Sequence, residues 1–242
     1  MLSGTTSAQD VQLSLLPSQP PEIDGYDIAS ICIPTYEIGG DYFDYIKLDE
    51  KHFGIVIADV SGDGIPAALI MSAFRALLFN QIKINNNPAE LMTGLNKLIP
   101  DVSRKRDFIT SVYAKLNLKD HICNYTNCGH NPPLLLRTDG KLELLERGGA
   151  ALNILPDSNY ESESVKINPG DQIIFYTDGV TEIFDSQSNE YGFERLKKVI
   201  IDSKENTASE MIDNILQSTK NFSKSELYRD DFTIIVLKRK KE

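Results

Sequence analysis

Nine short β-branched and apolar runs constrain the fold of this 242-residue chain more than any other feature. Strands are expected over Ile28–Ile33, Tyr42–Leu48, Gly54–Val60, Ile109–Leu118, Ile122–Tyr125, Pro133–Arg137, Lys141–Leu145, Gln172–Tyr176 and Phe232–Leu237. Turns such as Leu48-Asp49-Glu50-Lys51 are too short for a crossover helix, so neighbouring early strands are expected to pair antiparallel. Apolar residues at three- and four-residue steps predict a helix through Ala67, Ile70, Met71, Phe74, Leu77 and Leu78, closed by Asn85-Asn86-Asn87-Pro88. Pro88 to Leu98 reads as a second helix, and Ala208, Met211, Ile212, Ile215 and Leu216 as the stripe of a third. Strands, two helices, more strands, a helix and a last strand make an α+β order, not the alternation of a doubly wound sheet.

One segment stands apart. Ala8, Val11 and Leu15 share a helical face that Pro17, Pro20 and Pro21 bring to an end. Residues 1–21 are therefore expected to form a linker helix and regulatory segment, with 22–242 as a single large domain. The apolar face of that helix suits its own core, or a partner helix from an upstream sensor domain or a second copy in a homodimer.

Charge narrows the partners. With 25 basic against 35 acidic residues the net charge is -10, which argues against nucleic acid as a partner. The basic cluster Lys238-Arg239-Lys240-Lys241 reads as a solvated tail. Cys32, Cys123 and Cys128 lack metal spacing and read as reduced thiols, pointing to a cytoplasmic location. The start MLSGTTSAQD is not a signal peptide, and no apolar run is read as approaching a membrane span, so no membrane partner is expected.

Chemistry is expected where carboxylates sit beside glycine at the edges of apolar runs. Four places do this: Gly39-Gly40-Asp41-Tyr42-Phe43-Asp44, Asp59-Val60-Ser61-Gly62-Asp63-Gly64, Asp178-Gly179-Val180-Thr181-Glu182, and Arg229-Asp230-Asp231-Phe232-Thr233. Gathered carboxylates repel one another and lose hydration, so they need a neutralising cation. No Arg or Lys recurs beside all four, and hard divalent ions favour oxygen ligands, which makes Mg²⁺ or Mn²⁺ the natural choice. A helix–loop–helix calcium site fails, because Ile70 takes the place of the bidentate glutamate and a strand-like run precedes the loop. An aspartyl-phosphate route of the haloacid dehalogenase kind fails too, since Tyr176 stands where the nucleophile belongs. His52, His121 and His130 read as structural or solvent-facing; Gly129-His130-Asn131 is too turn-like to present a base but could brace a neighbouring loop. No Walker-type phosphate loop occurs.

In order and spacing, GGDYFD, ADVSGDGIPAALIM, NCGHNPPLLL, GDQIIFYTDGVTE and RDDFTIIVL resemble the motifs of the metal-dependent (PPM, or type 2C) protein phosphatases, and more narrowly of their bacterial SpoIIE-like branch. The resemblance runs from Gln12 to Leu237, and AQDVQLSLLP is similar to that branch's linker helix. It implies a fold of two packed antiparallel sheets flanked by helices, here over residues 22–242. It also implies two Mn²⁺ or Mg²⁺ ions: Asp59 as the bridging ligand with the Val60 carbonyl beside it, Asp41 on one ion, Asp178 and Asp230 on the other. Asp44, Asp63 and Asp231 are implied as supports around these ligands.

The implied reaction is hydrolysis of a phosphoserine or phosphothreonine by a water activated between the ions. Its implied substrate is a regulatory protein of the anti-sigma-factor-antagonist type, so that partner switching carries the signal. Two departures stand out. Ser61 lies near the position of a eukaryotic histidine, and Tyr36-Glu37-Ile38 supplies no phosphate-holding arginine. Two other functions remain open at this point: a catalytically degenerate binding module and a small-molecule phosphohydrolase. Regulation is expected through the segment Ala8–Leu16 and the helix after the bridging loop.

Overall fold

β-Branched runs become strands and amphipathic runs helices in the computed structural model, which describes residues 2–155, 157–224 and 229–241, with the side chains of the first helix from Ala8 onward. Met1 and Glu242, the outer limits of the two expected segments, lie outside the described residues. The elements are α1 (Leu2–Leu15), β1 (Tyr26–Ile33), β2 (Tyr42–Lys47), β3 (His52–Val60), α2 (Gly64–Ile82), α3 (Pro88–Leu98), β4 (Ile109–Asn117) and β5 (Ile122–Cys128). After them come β6 (Leu134–Leu136), β7 (Leu142–Leu144), β8 (Gly148–Gly149), β9 (Glu163–Lys166), β10 (Gln172–Tyr176), α4 (Gly192–Asp202), α5 (Ala208–Ser223) and β11 (Phe232–Arg239). They form two units. The first is built from Met1–Ser18, Tyr36–His130 and Glu146–Lys166, the second from Gln19–Thr35, Asn131–Leu145 and Ile167–Glu242.

The first unit's sheet runs β2-β3-β4-β5-β8, with β9 also paired to β5. Strand alternation sorts its side chains: Val56, Ala58 and Val60 of β3 share a face with Tyr42, Ile109 and Tyr113. That face is covered by Ala67, Met71, Phe74 and Leu78 of α2 and by Leu91, Met92 and Leu95 of α3. Phe74 meets Tyr42 edge-on, with ring centres 6.0 Å apart and planes at 80°. Helix α3 starts where expected, because Pro88 fits its first turn and the Asn87 side chain accepts from the Ala89 amide at 2.8 Å.

In the second unit the sheet runs β1-β11-β10-β6-β7, every pairing antiparallel. Ile174, Tyr176, Ile234 and Val236 pack with Leu196 and Ile200 of α4 and Met211, Ile212 and Ile215 of α5. A capping box opens α5: Thr207 Oγ1 accepts from the Glu210 amide at 3.2 Å, and the Glu210 carboxylate accepts from the Thr207 amide at 2.8 Å.

The α+β class and the two largely antiparallel sheets are as expected; among the described residues only the β5–β8 pairing is parallel. Four expectations need correction. Strand β1 does not join its sequence neighbour β2; it pairs with β11, Tyr26 opposite Arg239 through Ile33 opposite Phe232. Helix α4 and strands β8 and β9 were not foreseen. Helix α2, at 19 residues, is long and apolar enough to cross a membrane by length and composition, contrary to the reading that no such run exists. Its apolar side serves the core just described. Lastly, the basic cluster is no mere tail: Lys238 and Arg239 lie within β11, where Lys238 Nζ donates to the carbonyls of Lys204 and Asn206 and Arg239 to that of Ile167 at 2.8 Å.

Phe74 is fully buried, and its loss would leave a cavity that Tyr42 and the α3 leucines cannot fill. Phe74→Ala is expected to destabilise the chain by about 3–5 kcal/mol, read from urea unfolding curves.

Candidate metal centre

In the first unit, sheet register gathers the expected ligands. Tyr42 opposes Ala58 as the last pair of the β2–β3 ladder, and one residue further the same register sets Asp41 against Asp59. The approach is close because Gly40 has no side chain: a Cβ there would come within 2.9 Å of the Val60 carbonyl oxygen. Asp41 is buried at 4% exposure, and Asp59 is half-buried. Beyond Val60, Ser61 extends the ladder, its amide donating to the Phe108 carbonyl at 3.0 Å and its hydroxyl accepting from the Phe108 amide at 2.9 Å. Those two bonds fix the peptide that carries the Val60 carbonyl. This gives Ser61 a structural task.

A second group forms in the other unit at the ends of β10 and β11. Thr177 is held on both sides of its backbone, its amide donating to the Thr233 carbonyl and its hydroxyl accepting from the Thr233 amide, each at 3.1 Å. Asp178 then opens a 3₁₀ turn, and the Glu182 amide donates to the Asp178 carbonyl at 2.7 Å. Carboxylate oxygens of Asp178, Glu182 and Asp230 consequently lie within 4.8 Å of one another. Here again glycine permits the approach, since a Cβ on Gly179 would sit 2.1 Å from the Asp231 carbonyl oxygen.

Like charges at that spacing are unfavourable. Burial raises the Asp178 carboxyl above its ordinary value, and the neighbouring Asp231 charge adds to the effect. Glu182 is raised by burial and then by Asp178, Glu190 and Asp230. An all-oxygen donor set with its charge held at a penalty suits a hard divalent cation, which would relieve the repulsion.

The remaining expected residues fall elsewhere. Asp231 is buried, and its Oδ1 accepts from the Thr35 amide at 2.8 Å while its own amide donates to Asp230 Oδ1 at 2.8 Å, so it ties the start of β11 to the chain just beyond β1. Asp44 turns to the α2 side of β2, accepting from the Tyr42 hydroxyl at 2.7 Å with Arg75 Nε at 3.6 Å. Asp63 is exposed at the start of α2 and makes no side-chain cap bond. Glu182 was quoted in its motif but not expected as a ligand. Its signal was the four-residue step from Asp178, which one helical turn folds onto the same side.

The sequence profile of the Stage II sporulation protein E (SpoIIE) family matches residues 49–240. The chain belongs to the SpoIIE family. It is 35% identical to the phosphoserine phosphatase RsbU of Bacillus subtilis over 237 residues, covering 96% of this chain and 69% of RsbU. Among solved structures, the RsbU and RsbW domains of Rv1364c from Mycobacterium tuberculosis align with a TM-score of 0.78 at 25% identity, over 93% of this chain and 63% of that one. The SiaA-PP2C domain of Pseudomonas aeruginosa aligns with a TM-score of 0.83 at 18% identity, over 97% and 95% of the two chains, and bears on the fold alone. The SpoIIE-like resemblance read from the motifs stands on these matches.

For this SpoIIE-family chain the electrostatics give a test. Asp178 and Glu182 are raised, so the metal-free fold carries their penalty at neutral pH and sheds it on acidification, as both carboxyls take up protons more readily than in the unfolded chain. Asp178→Asn is expected to raise the Tm of EDTA-treated protein by about 2 °C near neutral pH. That gain should shrink toward zero in acid.

Proposed function

We propose that this SpoIIE-family phosphatase hydrolyses phosphoserine or phosphothreonine on a regulatory protein, with two divalent cations, Mn²⁺ or Mg²⁺, as its cofactors. Asp41, Asp59 and the Val60 carbonyl are assigned as ligands in the first unit, and Asp178 and Asp230 in the second, with Glu182 beside them. The observation that carries the reading is the crowding of Asp178, Glu182 and Asp230 oxygens within 4.8 Å, in the region that the family profile matches. When bound, such ions supply charge neutralisation for a dianionic phosphoryl group and activation of a water for in-line attack. The chain's own contribution is to hold the carboxylates in fixed directions. Gly40 and Gly179 let the backbones close up, and Ser61 and Asp231 lock the peptides on either side.

The substrate proposed is a phosphorylated protein of the anti-sigma-factor-antagonist type, acting in partner switching. Support for a phosphoprotein comes from the named phosphoserine phosphatases RsbU and RsbP of Bacillus subtilis, the latter 27% identical and 56% covered by this chain. A cytoplasmic setting is proposed on the reading that Cys32, Cys123 and Cys128 form no disulfide.

Purified protein with Mn²⁺ should release phosphate from such a phosphoprotein, and EDTA should abolish the release. Asp59→Asn and Asp230→Asn are each expected to lower kcat by about 10³-fold, in the range seen when charge-stabilising groups are removed. Binding of the phosphoprotein without turnover would support the degenerate module instead, and turnover of small phosphomonoesters alone would support the phosphohydrolase.

A further inference from the structure

A line of polar side chains crosses the end of the first unit's sheet. The register that sets Asp41 against Asp59 continues into β4, where Thr110 is the direct partner of Asp59. Directly opposed residues of an antiparallel pair project from the same face, their Cβ atoms about 4.5–5.5 Å apart. Thr110 Oγ1 in turn lies 2.8 Å from Nδ1 of His130.

His130 is held firmly. Its amide donates to Asn127 Oδ1 at 2.8 Å, and its carbonyl accepts from Asn127 Nδ2 at 3.0 Å. Both residues are buried, at 5% and 4% exposure. A ring wanted only for packing would be cheaper as an apolar one, because burying an imidazole and an amide costs hydration that hydrogen bonds only offset. The turn that looked unfit to present a base instead presents a ring nitrogen to one threonine.

We propose that His130, acting through Thr110, positions the Asp59 carboxylate toward the divalent cation; the inference rests on the metal-dependent reading above. A threonine hydroxyl has one proton to give and two lone pairs to receive. With Nδ1–H of His130 donating to Thr110 Oγ1, the threonine proton is left for the carboxylate on the neighbouring strand. One Asp59 oxygen is then committed and the other is aimed. His130 and Thr110 are thus positioning residues, and the GHN turn of the NCGHNPP motif has a task beyond closing a loop.

Isothermal titration of the full chain with Mn²⁺ tests this, with the melting temperature in EDTA as the check on folding. Thr110→Val keeps the shape but loses the hydroxyl, and should weaken Mn²⁺ binding about tenfold or more, as loss of outer partners does at other metal sites. Thr110→Ser should restore it. His130→Leu should repeat the loss and His130→Asn, which puts an amide near the Nδ1 position, should recover part of it. The Thr110→Val/His130→Leu pair should be no worse than either single change, because the two act as one chain. A folded Thr110→Val protein that binds Mn²⁺ like the parent, while Asp59→Asn does not, overturns the inference and leaves the phosphatase reading standing. If Thr110→Val melts early, equal Mn²⁺ binding by His130→Leu and His130→Asn overturns it in the same way. Unchanged binding by Asp59→Asn sinks the ligand assignment and this inference together.

Discussion

Carboxylates that repel one another must be brought close by something stronger than their repulsion, and here it is backbone packed on backbone. Gly40 rests against the Val60 carbonyl and Gly179 against that of Asp231, at distances no side chain would allow. The energy that holds these contacts comes from the ladders behind them: β2 on β3 in one unit, β10 on β11 in the other. Hydrogen-bonded strands with buried faces resist slipping, because a one-residue shift would turn every core side chain outward. Repulsion between aspartates is small against that cost. The sheets can therefore hold charges in positions that the charges themselves disfavour.

How much of this was legible depended on how local the signal was. Strands β2 to β5 showed in the sequence because β-branched runs alternate around short turns, and helix α3 because Asn87 and Pro88 mark its start. Helix α4 was hidden by its own polarity: Leu196 and Ile200 are its only fully buried positions, set among Glu194, Arg195, Lys197 and Lys198. Strand β9, Glu-Ser-Val-Lys, carries no apolar alternation, and two-residue β8 is too short to show any, resting on its pairing to β5 and on the Glu161 amide that donates to the Gly148 carbonyl at 3.3 Å. The pairing of β1 with β11 joins the two ends of the second unit's chain, and no turn between them announces it.

The site shows the same division. Motif order pointed to Asp41, Asp59, Asp178 and Asp230, and the structure groups them by unit: the first two by sheet register, the last two with Glu182. What the motifs could not convey was the work of their other letters. Asp44 belongs to the same short motif as Asp41, yet three residues of strand put it on the opposite face, beside Tyr42 and Arg75. A period of two decides this, and reading GGDYFD as a cluster of acids overlooks it.

The residues next to the proposed ligands also explain why the motifs are longer than a ligand list requires. Ser61 pairs with both backbone groups of Phe108: its amide donates, as any residue's would, and its hydroxyl accepts, as an alanine could not. Asp231 accepts from the Thr35 amide while its own amide serves Asp230, so its carboxylate has a structural task at the strand end. In each case a polar residue at a strand end satisfies backbone groups that the ladder leaves open. Fixing those peptides removes freedom from the ligand beside them, so less ordering is left to accompany cation binding. Preorganisation of the proposed ligands is thus built from ordinary strand-end hydrogen bonds, one residue along from the carboxylates themselves.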